Sequence, residues 1–353
     1  MTTAPISKLA LQASPGLGEW LRERSISLLI SAYQSGRLIS IGTDESGKLR
    51  LSAIAFDRSM GLAADRGGVW VATLNRVWRF AFLLGAKLAE RSHDVVLTPQ
   101  AAFITGYVNA HDLAIGPQGR PVFAASMFNC VATTSIEASL VPIWYPAFIT
   151  DTSPQDACHL NGIALDKGRL RYVTVFAQTR EFGAWRQAAP EGAVIDIASN
   201  APVVTGLAQP HSPRLHDGRL WLHESGKGAF GYVDSGKFVE VIRCPGYLRG
   251  LAFHEEIACI GLSRPRDTES VGAKAFATML AERGTEAGCG LVFFDLKRGI
   301  GVHSLRFGDG IDEIYDIAVL GYRDPLLVSP ESPEASRTYI IGKASSDRRP
   351  KSS

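Results

Sequence analysis

The sequence predicts an all-β fold, a six-bladed β-propeller, because a short phrase occurs six times and most copies lie about fifty residues apart. The copies begin at Gly61 (GLAADRGGV), Asp112 (DLAIGPQGR), Gly162 (GIALDKGRL), Ser212 (SPRLHDGRL), Gly250 (GLAFHEEIA) and Asp316 (DIAVLGYRD). Repetition at a fixed period is typical of solenoids and propellers. Because each repeat consists of short strand-like runs, a propeller is the expected arrangement.

Each repeat contains the pattern of one blade, which is four short strands joined by tight turns. After Ser212 the chain reads RLWLHE, GAFGYVD and KFVEVIRC, and the residues between these runs are typical of hairpin turns. The interval before the last copy carries an insertion at about residues 264–289. Apolar residues within it follow helical spacing at Ala273, Phe276, Ala277 and Leu280. This spacing predicts a short amphipathic helix that either covers one mouth of the ring or packs against a blade edge.

Closure of the ring is expected to join the two ends of the chain. The last copy is followed by too few residues for a full blade, whereas SLLISAYQ, RLISIGT and KLRLSAIAF precede the first copy. Placing these N-terminal strands in the final blade removes exposed sheet edges. Two or three of them can serve. The predicted organisation is an extension at 1–20, one propeller domain at 21–330 and a polar, basic, partly disordered tail at 331–353.

Composition excludes several classes of function. The formal net charge of the 353 residues is +2, and no basic stripe of the kind that binds nucleic acid is present. We find no signal-peptide pattern and no apolar run of the ~20 residues that a membrane span needs. The five cysteines are odd in number and widely separated, which is typical of reduced thiols. A cytoplasmic protein with neither a nucleic-acid nor a membrane partner is expected.

The residue before each copy of the phrase points to the chemistry. Equivalent positions in the inner strands of six blades form a ring around the channel. The six ring residues are Met60, His111, Asn161, His211, Arg249 and Tyr315. Five of them carry polar or titratable side chains beside apolar strands, so we expect a polar site in the channel.

A metal site is the leading interpretation of the ring. His111 and His211, with either His159 or Asn161, can supply three ligands and leave an open position, as suits catalytic zinc, copper or iron. Arg249 would then stabilise negative charge on a substrate. Tyr315 would transfer a proton if the metal or Arg249 lowers its pKa.

Other interpretations stay open. With Asn161, the acidic residues Asp312, Glu313 and Asp316 would form an oxygen-rich site that suits calcium. Asp112 can orient an imidazole or cap a turn. A histidine at a strand start is most often bonded only to a backbone carbonyl, and Arg249 can pair with an acidic neighbour. No P-loop, GxSxG or HExxH motif is present.

The segments NAHDLAIGPQGRPVFAASMFNC, HLNGIAL, PHSPRLHDGRLWLHESGKG and YLRGLAFH carry a resemblance to an uncharacterised family of conserved hypothetical bacterial proteins, over roughly residues 20–330. The blade pattern is more loosely similar to NHL-type and gluconolactonase-like six-bladed propellers. The gluconolactonase-like group implies a divalent ion held by a carboxylate and asparagines, one of them in an N-G motif like that of Asn161. The NHL-type amidating lyase implies zinc held by histidines from separate blades, beside an arginine and a tyrosine. This chain lacks that lyase's disulfides and has no clear third strand-start histidine unless His159 serves.

These features together predict a metal-dependent enzyme of lyase or hydrolase type, acting on a small molecule or peptide at the channel mouth. The alternative is a non-catalytic propeller that binds a protein or peptide partner or senses a ligand in the channel.

Overall fold

A computed structural model describes residues 9–85, 87–88, 91–188, 191–266 and 271–340. Within them, six antiparallel sheets form the six predicted blades around a channel, so the propeller fold is confirmed. The part of the predicted tail beyond residue 340 lies outside the described residues, as do residues 1–8 of the predicted extension.

The chain forms the blades in sequence. The N-terminal strands are β1 (Leu11–Ala13), β2 (Ser27–Ala32), β3 (Arg37–Thr43) and β4 (Leu49–Ala55). Blade 1 contains β5 (Leu62–Asp65), β6 (Gly68–Ala72), β7 (Arg76–Leu84) and β10 (Val95–Ile104), with the hairpin β8 (Lys87–Leu88) and β9 (Arg91–Ser92) between the last two. Blade 2 contains β11 (Ala110–Ile115), β12 (Pro121–Ala125), β13 (Cys130–Thr133) and β14 (Val141–Trp144). Blade 3 contains β15 (Leu160–Asp166), β16 (Arg169–Val175), β17 (Gly192–Asp196) and β18 (Ala201–Leu207).

The remaining blades follow the same order. Blade 4 contains β19 (Pro210–His216), β20 (Arg219–Glu224), β21 (Ala229–Asp234) and β22 (Lys237–Arg243). Blade 5 contains β23 (Tyr247–His254), β24 (Ile257–Ser263), β25 (Gly290–Asp295) and β26 (Ile300–Phe307). Blade 6 contains, from the channel outward, β27 (Asp316–Leu320), β2, β3 and β4. Strand β28 (Pro325–Leu327) comes after β27 in the chain and lies in another sheet.

Closure occurs as predicted, and the N-terminal segment supplies three strands of the last blade. Strand β27 pairs antiparallel with β2, with Leu29 opposite Ala318. Two further strands extend other blades: β1 pairs with β26, and β28 pairs in parallel with β10. These additions cover the outer edges of two sheets, which otherwise present unpaired backbone groups.

Burial on both faces explains why the middle strands of a blade read as nearly continuous apolar runs. Every residue of β2 (SLLISA) and of β3 (RLISIGT) is buried, because a blade packs against a neighbour on each side. The core therefore lies in layers between adjacent blades. One such layer joins Leu29 and Leu38 of blade 6 to Val69 and Phe80 of blade 1.

The two α-helices in the described part of the chain contribute apolar side chains to these layers or to the channel mouth. Helix α1 (Leu17–Glu23) buries Leu17 and Leu21, which lie one turn apart. Helix α2 (Val271–Glu282) confirms the helix predicted in the insertion and buries Phe276 and Leu280. Since Ala273 and Phe276 line the cavity described below, α2 lies at the mouth of the ring. No helix in the described part of the chain is long and apolar enough to cross a bilayer.

Serines at the ends of second strands connect neighbouring blades. Ser31, Ser126, Ser225 and Ser263 each donate a hydrogen bond to a carbonyl oxygen near the start of the next blade's inner strand. The acceptors are the carbonyls of Met60, Leu160, Leu248 and Ile314. This repeated contact fixes where each inner strand begins, and therefore where the ring residues stand.

The first residue of the phrase alternates around the channel. Asp112, Ser212 and Asp316 accept hydrogen bonds from backbone N–H groups of the next blade. The other three blades carry glycine at this position. A Cβ on Gly61 would lie 2.9 Å from the Asp112 Cα, and one on Gly250 would lie 2.9 Å from the Asp316 Cα. The glycines thus leave room for the closer approach of the neighbouring strands.

Candidate functional site

A cavity of about 650 Å³ opens at the mouth of the channel where the inner strands begin. Three of the six ring residues line it: His111, Arg249 and Tyr315. His159 lines it as well. Its remaining wall comes from the loops before the inner strands, from the insertion and from aromatic side chains such as Phe176 and Trp185.

The other three ring residues lie outside the cavity lining. Met60 is fully buried in an apolar cluster. The Asn161 amide oxygen accepts a hydrogen bond of 2.7 Å from the Thr174 hydroxyl, so Asn161 is engaged inside its own blade. His211 is buried beneath the wall, where its ring packs against Phe176 and Tyr247.

Hydrogen bonds define the tautomers of His111 and His211. The Nδ1 atom of His111 lies 3.1 Å from the Asn109 carbonyl oxygen, and Nδ1 of His211 lies 3.1 Å from that of Gln209. A carbonyl oxygen can only accept, so each Nδ1 carries the proton and each Nε2 carries a lone pair. Nε2 of His211 is buried without a partner among the described residues.

Serine hydroxyls complete both arrangements. Ser126 lies 2.9 Å from His111 Nδ1, and Ser225 lies 2.9 Å from His211 Nδ1. Burial is the largest cause that holds the pKa of both imidazoles well below 6.5, and the positive charge of Arg249 acts in the same direction. Both rings are therefore neutral at pH 7.

His159 is held by a carboxylate. Its Nδ1 lies 3.1 Å from both oxygens of Asp156, so the carboxylate accepts the Nδ1–H and orients the ring, with Nε2 on the opposite side of the imidazole. The Trp185 ring lies against the imidazole at 4.1 Å between centroids, and the His111 ring lies at 4.5 Å on edge. The backbone of His159 has a left-handed φ of 50°. Such a conformation is uncommon outside glycine and is enriched at functional positions.

Arg249 is the buried cation of the cavity. Its guanidinium lies over the Tyr247 and Tyr315 rings, at 5.3 and 5.1 Å from their centroids. It donates to Oε1 of Glu313, and Arg266 donates to the same oxygen atom. The predicted pairing of Arg249 with an acidic neighbour is thus present, but one carboxylate serves two guanidinium groups.

Tyr315 is suited to donate a proton in a hydrogen bond rather than to act as a base. Burial raises its pKa well above 10 and outweighs the lowering effect of Arg249. The expected lowering of this pKa by Arg249 is therefore overcome by burial. The Tyr315 hydroxyl is buried and without a partner among the described residues.

The predicted metal ligands do not form a ready ligand set. Among the described residues, no group of three or more His, Cys, Asp or Glu side chains could hold a metal ion. The Phe176 ring packs against both His159 and His211, at 4.5 and 5.0 Å between centroids, and Asn161 points its oxygen at Thr174. The described residues do not fit a three-ligand centre. The zinc, copper or iron site stays a prediction.

The acidic segment expected to suit calcium is divided among arginines. Glu313 pairs with Arg249 and Arg266, whereas Asp312 pairs with Arg264 near the surface. Asp316 lies deeper in the channel. Because each carboxylate faces a cation and Asn161 is bonded elsewhere, the described residues do not assemble an oxygen-rich calcium site.

Below the cavity, Arg214 spans the channel. Its guanidinium donates to both oxygens of Asp112, at 2.8 and 3.0 Å, and lies 3.4 Å from Asp316. Asp112 therefore orients no imidazole. Its oxygens also accept from the N–H groups of Leu113 and Ile163, so it joins blades 2, 3 and 4.

Two site residues escaped the sequence reasoning. Asp156 stands three residues before His159 (DACH), a spacing that was available in the sequence as a signal. Arg266 lies in the insertion, and nothing in the repeat pattern marks it. Trp185 also belongs to the cavity wall, where it lies against the His159 ring.

Fold and site together define a six-bladed β-propeller with a polar cavity at one mouth of its channel. Residues 15–328 match the family described as a domain of unknown function, DUF4915. The chain belongs to that family, and the expected membership of an uncharacterised family is confirmed. No curated protein matches the chain.

Solved structures share the fold at low sequence identity. A protein of unknown function from Bacteroides caccae is 12% identical with a TM-score of 0.52, covering 84% of this chain and 99% of its own. A chain of a nidogen–laminin complex is 10% identical with a TM-score of 0.51 and the same coverages. A virginiamycin B lyase from Staphylococcus aureus is 12% identical with a TM-score of 0.41, covering 74% of this chain and 79% of its own. At these identities, the likeness to the first two structures shows a shared fold alone.

Proposed function

We propose that this protein is an enzyme of lyase or hydrolase type that acts on a small organic molecule in the cavity, with His159 as the general base. The Asp156–His159 pair is the observation that carries the proposal. The carboxylate accepts the Nδ1–H, which leaves Nε2 to act as the base. His159 itself lines the cavity. The same carboxylate stabilises the imidazolium that forms when Nε2 takes a proton.

The neighbouring side chains suit the rest of such a step. A proton leaves a substrate C–H group, or a water molecule, and its bonding electrons stay on the substrate or on the attacking oxygen. The negative charge that develops on a substrate oxygen is stabilised by the buried guanidinium of Arg249. The neutral hydroxyl of Tyr315 can donate a hydrogen bond to the same charge. A cavity of about 650 Å³ is within the usual size range of small-molecule sites.

Hydrogen–deuterium exchange on candidate substrates tests the proposal and does not require the product to be identified first. The intact protein is incubated in D₂O with a panel of small carboxylic acids and esters, and NMR follows deuterium incorporation and product formation. We expect catalysed exchange or turnover on at least one compound. His159→Gln should lower this rate by about 10²–10⁴-fold, which is the usual contribution of a general base.

A matched histidine variant controls for nonspecific effects. His216 stacks on Phe253 at 4.2 Å, outside the cavity, so His216→Gln should leave the rate unchanged. Full activity in His159→Gln would refute the assignment of the base. Ligands that stabilise the protein but are never exchanged or converted would instead support a ligand-sensing propeller.

Metal dependence is tested separately by elemental analysis. The parent protein is compared with a His111→Ala/His211→Ala double variant after incubation with zinc, copper or iron. About one equivalent of metal in the parent, lost in the variant, would restore the metal-centre prediction. Absence of bound metal from both proteins would leave proton transfer to the side chains alone.

A further inference from the structure

The cavity holds more positive than negative charge among the described residues. Four arginines line it: Arg186, Arg249, Arg264 and Arg266. Two carboxylates line it, Asp156 and Glu313, and Asp156 faces His159. Arg264 has a further partner in Asp312. Counting the described residues alone, the shared carboxylate of Glu313 therefore balances one of the two positive charges of the Arg249–Arg266 pair.

The guanidinium of Arg249, one of the two that share this carboxylate, is buried and held in place, whereas the side chain of Arg266 is 34% exposed. Arg249 is 7% exposed and is flanked by two tyrosine rings, so its guanidinium is oriented before any ligand arrives. A buried guanidinium without a full complement of anions is costly unless a ligand supplies one. A planar guanidinium fork matches the planar, singly charged carboxylate group. A phosphate ester, with about two negative charges at pH 7, would overcompensate the site.

Glu313 presents a second unmet requirement. Its Oε1 atom accepts from both arginines, whereas its Oε2 atom is buried and without a partner among the described residues. A buried carboxylate oxygen needs a hydrogen-bond donor. A neutral donor such as a hydroxyl meets this need and preserves the charge balance. An ammonium group would restore the excess of positive charge.

The rim of the cavity carries two aromatic side chains that are exposed to solvent. Phe182 is 70% exposed and Tyr107 is 49% exposed, and both line the cavity. Large exposed apolar side chains at the mouth of a pocket are typical of ligand contact. They offer a surface to the apolar part of a ligand whose polar end lies deeper.

We infer that the cavity takes a 2-hydroxy acid with an apolar or aromatic tail. Its carboxylate would bind Arg249 and Arg266, its hydroxyl would donate to Glu313, and its tail would reach Phe182 and Tyr107. This inference rests on the proposed function of the cavity and names the class of its substrate.

Equilibrium binding of three matched probes tests the inference. We would titrate the intact protein with 3-phenyllactate, with its amide 3-phenyllactamide and with 3-phenylpropionate, and follow binding by calorimetry. The amide lacks the charge and 3-phenylpropionate lacks the hydroxyl. We expect 3-phenyllactate to bind at least about tenfold more tightly than the amide and about three- to tenfold more tightly than 3-phenylpropionate.

Variants assign each preference to its residue. Arg266→Met should reduce the preference for the acid over the amide. Arg249→Lys keeps the buried positive charge but loses the guanidinium fork, and it should also weaken this preference. Glu313→Gln should remove the preference for the hydroxyl. Arg264→Met is the matched control, because Arg264 also lines the cavity but pairs with Asp312, and it should keep both preferences. Circular dichroism verifies that each variant is folded.

Equal binding of the acid and its amide to the parent protein would overturn the inference, as would tighter binding of phenyl phosphate than of 3-phenyllactate. The same titrations in His159→Gln separate this inference from the proposed function. If the parent protein shows these binding preferences but neither deuterium exchange nor turnover on any compound, the enzyme proposal is refuted and the ligand class stands. If the parent protein exchanges deuterium on other compounds but shows no preference for the acid over the amide, the enzyme proposal stands and the ligand class is refuted.

Discussion

Replacing Arg214 by methionine should destabilise the propeller, and the loss should grow with pH. Arg214 is the cation between Asp112 of blade 2 and Asp316 of blade 6, and the side chains of both aspartates are about 5% exposed or less. Methionine preserves much of the length and apolar stem but removes the charge. Two buried carboxylates then face each other without their counterion.

The expected loss of stability depends on the hydrogen bonds that the two carboxylates retain in the variant. Each aspartate still accepts two backbone N–H groups, from Leu113 and Ile163 for Asp112 and from Leu62 and Ile317 for Asp316. Breaking a buried ion pair by removing one partner typically costs about 3–5 kcal/mol. Because the hydrogen bonds remain, we expect the lower end of this range at pH 8.5.

The pH dependence has a defined sign. Burial raises the pKa of Asp316 to about 7, Arg214 opposes this rise and Asp112 adds to it. Without Arg214 the folded-state pKa rises further above its unfolded value of about 3.9. A carboxyl with a raised folded-state pKa contributes stability at low pH that is lost as pH rises through that pKa, so the variant's deficit should be smaller near pH 5.5 than at pH 8.5.

Urea unfolding of both proteins at the two pH values measures this difference. Arg169→Met is the matched control: Arg169 is exposed at the start of β16, and its replacement should change stability by no more than about 0.5 kcal/mol. A deficit in Arg214→Met that is equal at both pH values, or below about 1 kcal/mol at pH 8.5, would contradict the assigned charge compensation.

Three further predictions concern the contacts around the cavity. His211→Gln should make stability less dependent on pH, because the neutral folded imidazole, with its lowered pKa, contributes stability above about pH 6.5 that is lost as pH falls; urea midpoints at pH 7.5 and 5.5 measure this, and an unchanged slope would contradict it. Ser225→Ala should cost about 1–3 kcal/mol, because it removes the donor to a buried carbonyl oxygen; urea unfolding measures the loss, and parental stability would contradict it. Gly261→Ala should weaken binding of 3-phenyllactate, since its Cβ would lie 2.1 Å from the Arg249 carbonyl oxygen, whereas Gly301→Ala, with no atom within 4 Å of its Cβ, should not. Equal calorimetric affinity of these two glycine variants would refute the effect.

The architecture was predictable because the repeat places the same strand order in each blade. The six phrase copies located every inner strand, and the surplus of N-terminal strands identified the closure. Helical spacing at Phe276 and Leu280 predicted α2. None of these predictions depends on the direction in which a side chain points.

The site was only partly predictable, because side-chain direction changes at the start of the inner strands. The pairing of the two inner strands shifts register there in four blades, for example between Leu160 and Gly162 and between His211 and Arg214. Such bulges re-aim side chains. His159 instead has the left-handed conformation found at Asn109 and Gln209, the residues whose carbonyls hold the imidazoles of the flanking blades. Sequence spacing alone therefore grouped His159 with residues in a different structural position.

The channel contains two polar layers, a lower one around Arg214 and an upper one in the cavity. They differ in how completely their charged and polar groups are paired. In the lower layer the aspartates and Arg214 satisfy one another and the backbone of adjacent blades, so this layer holds the ring together. In the upper layer two arginines share one carboxylate oxygen of Glu313, and its other oxygen has no partner among the described residues. The Tyr315 hydroxyl of the same layer also has no partner among them. Buried polar groups in folded proteins are normally satisfied. The incomplete layer is therefore the one in which a ligand can supply the missing partners, and it lies where the cavity opens to solvent.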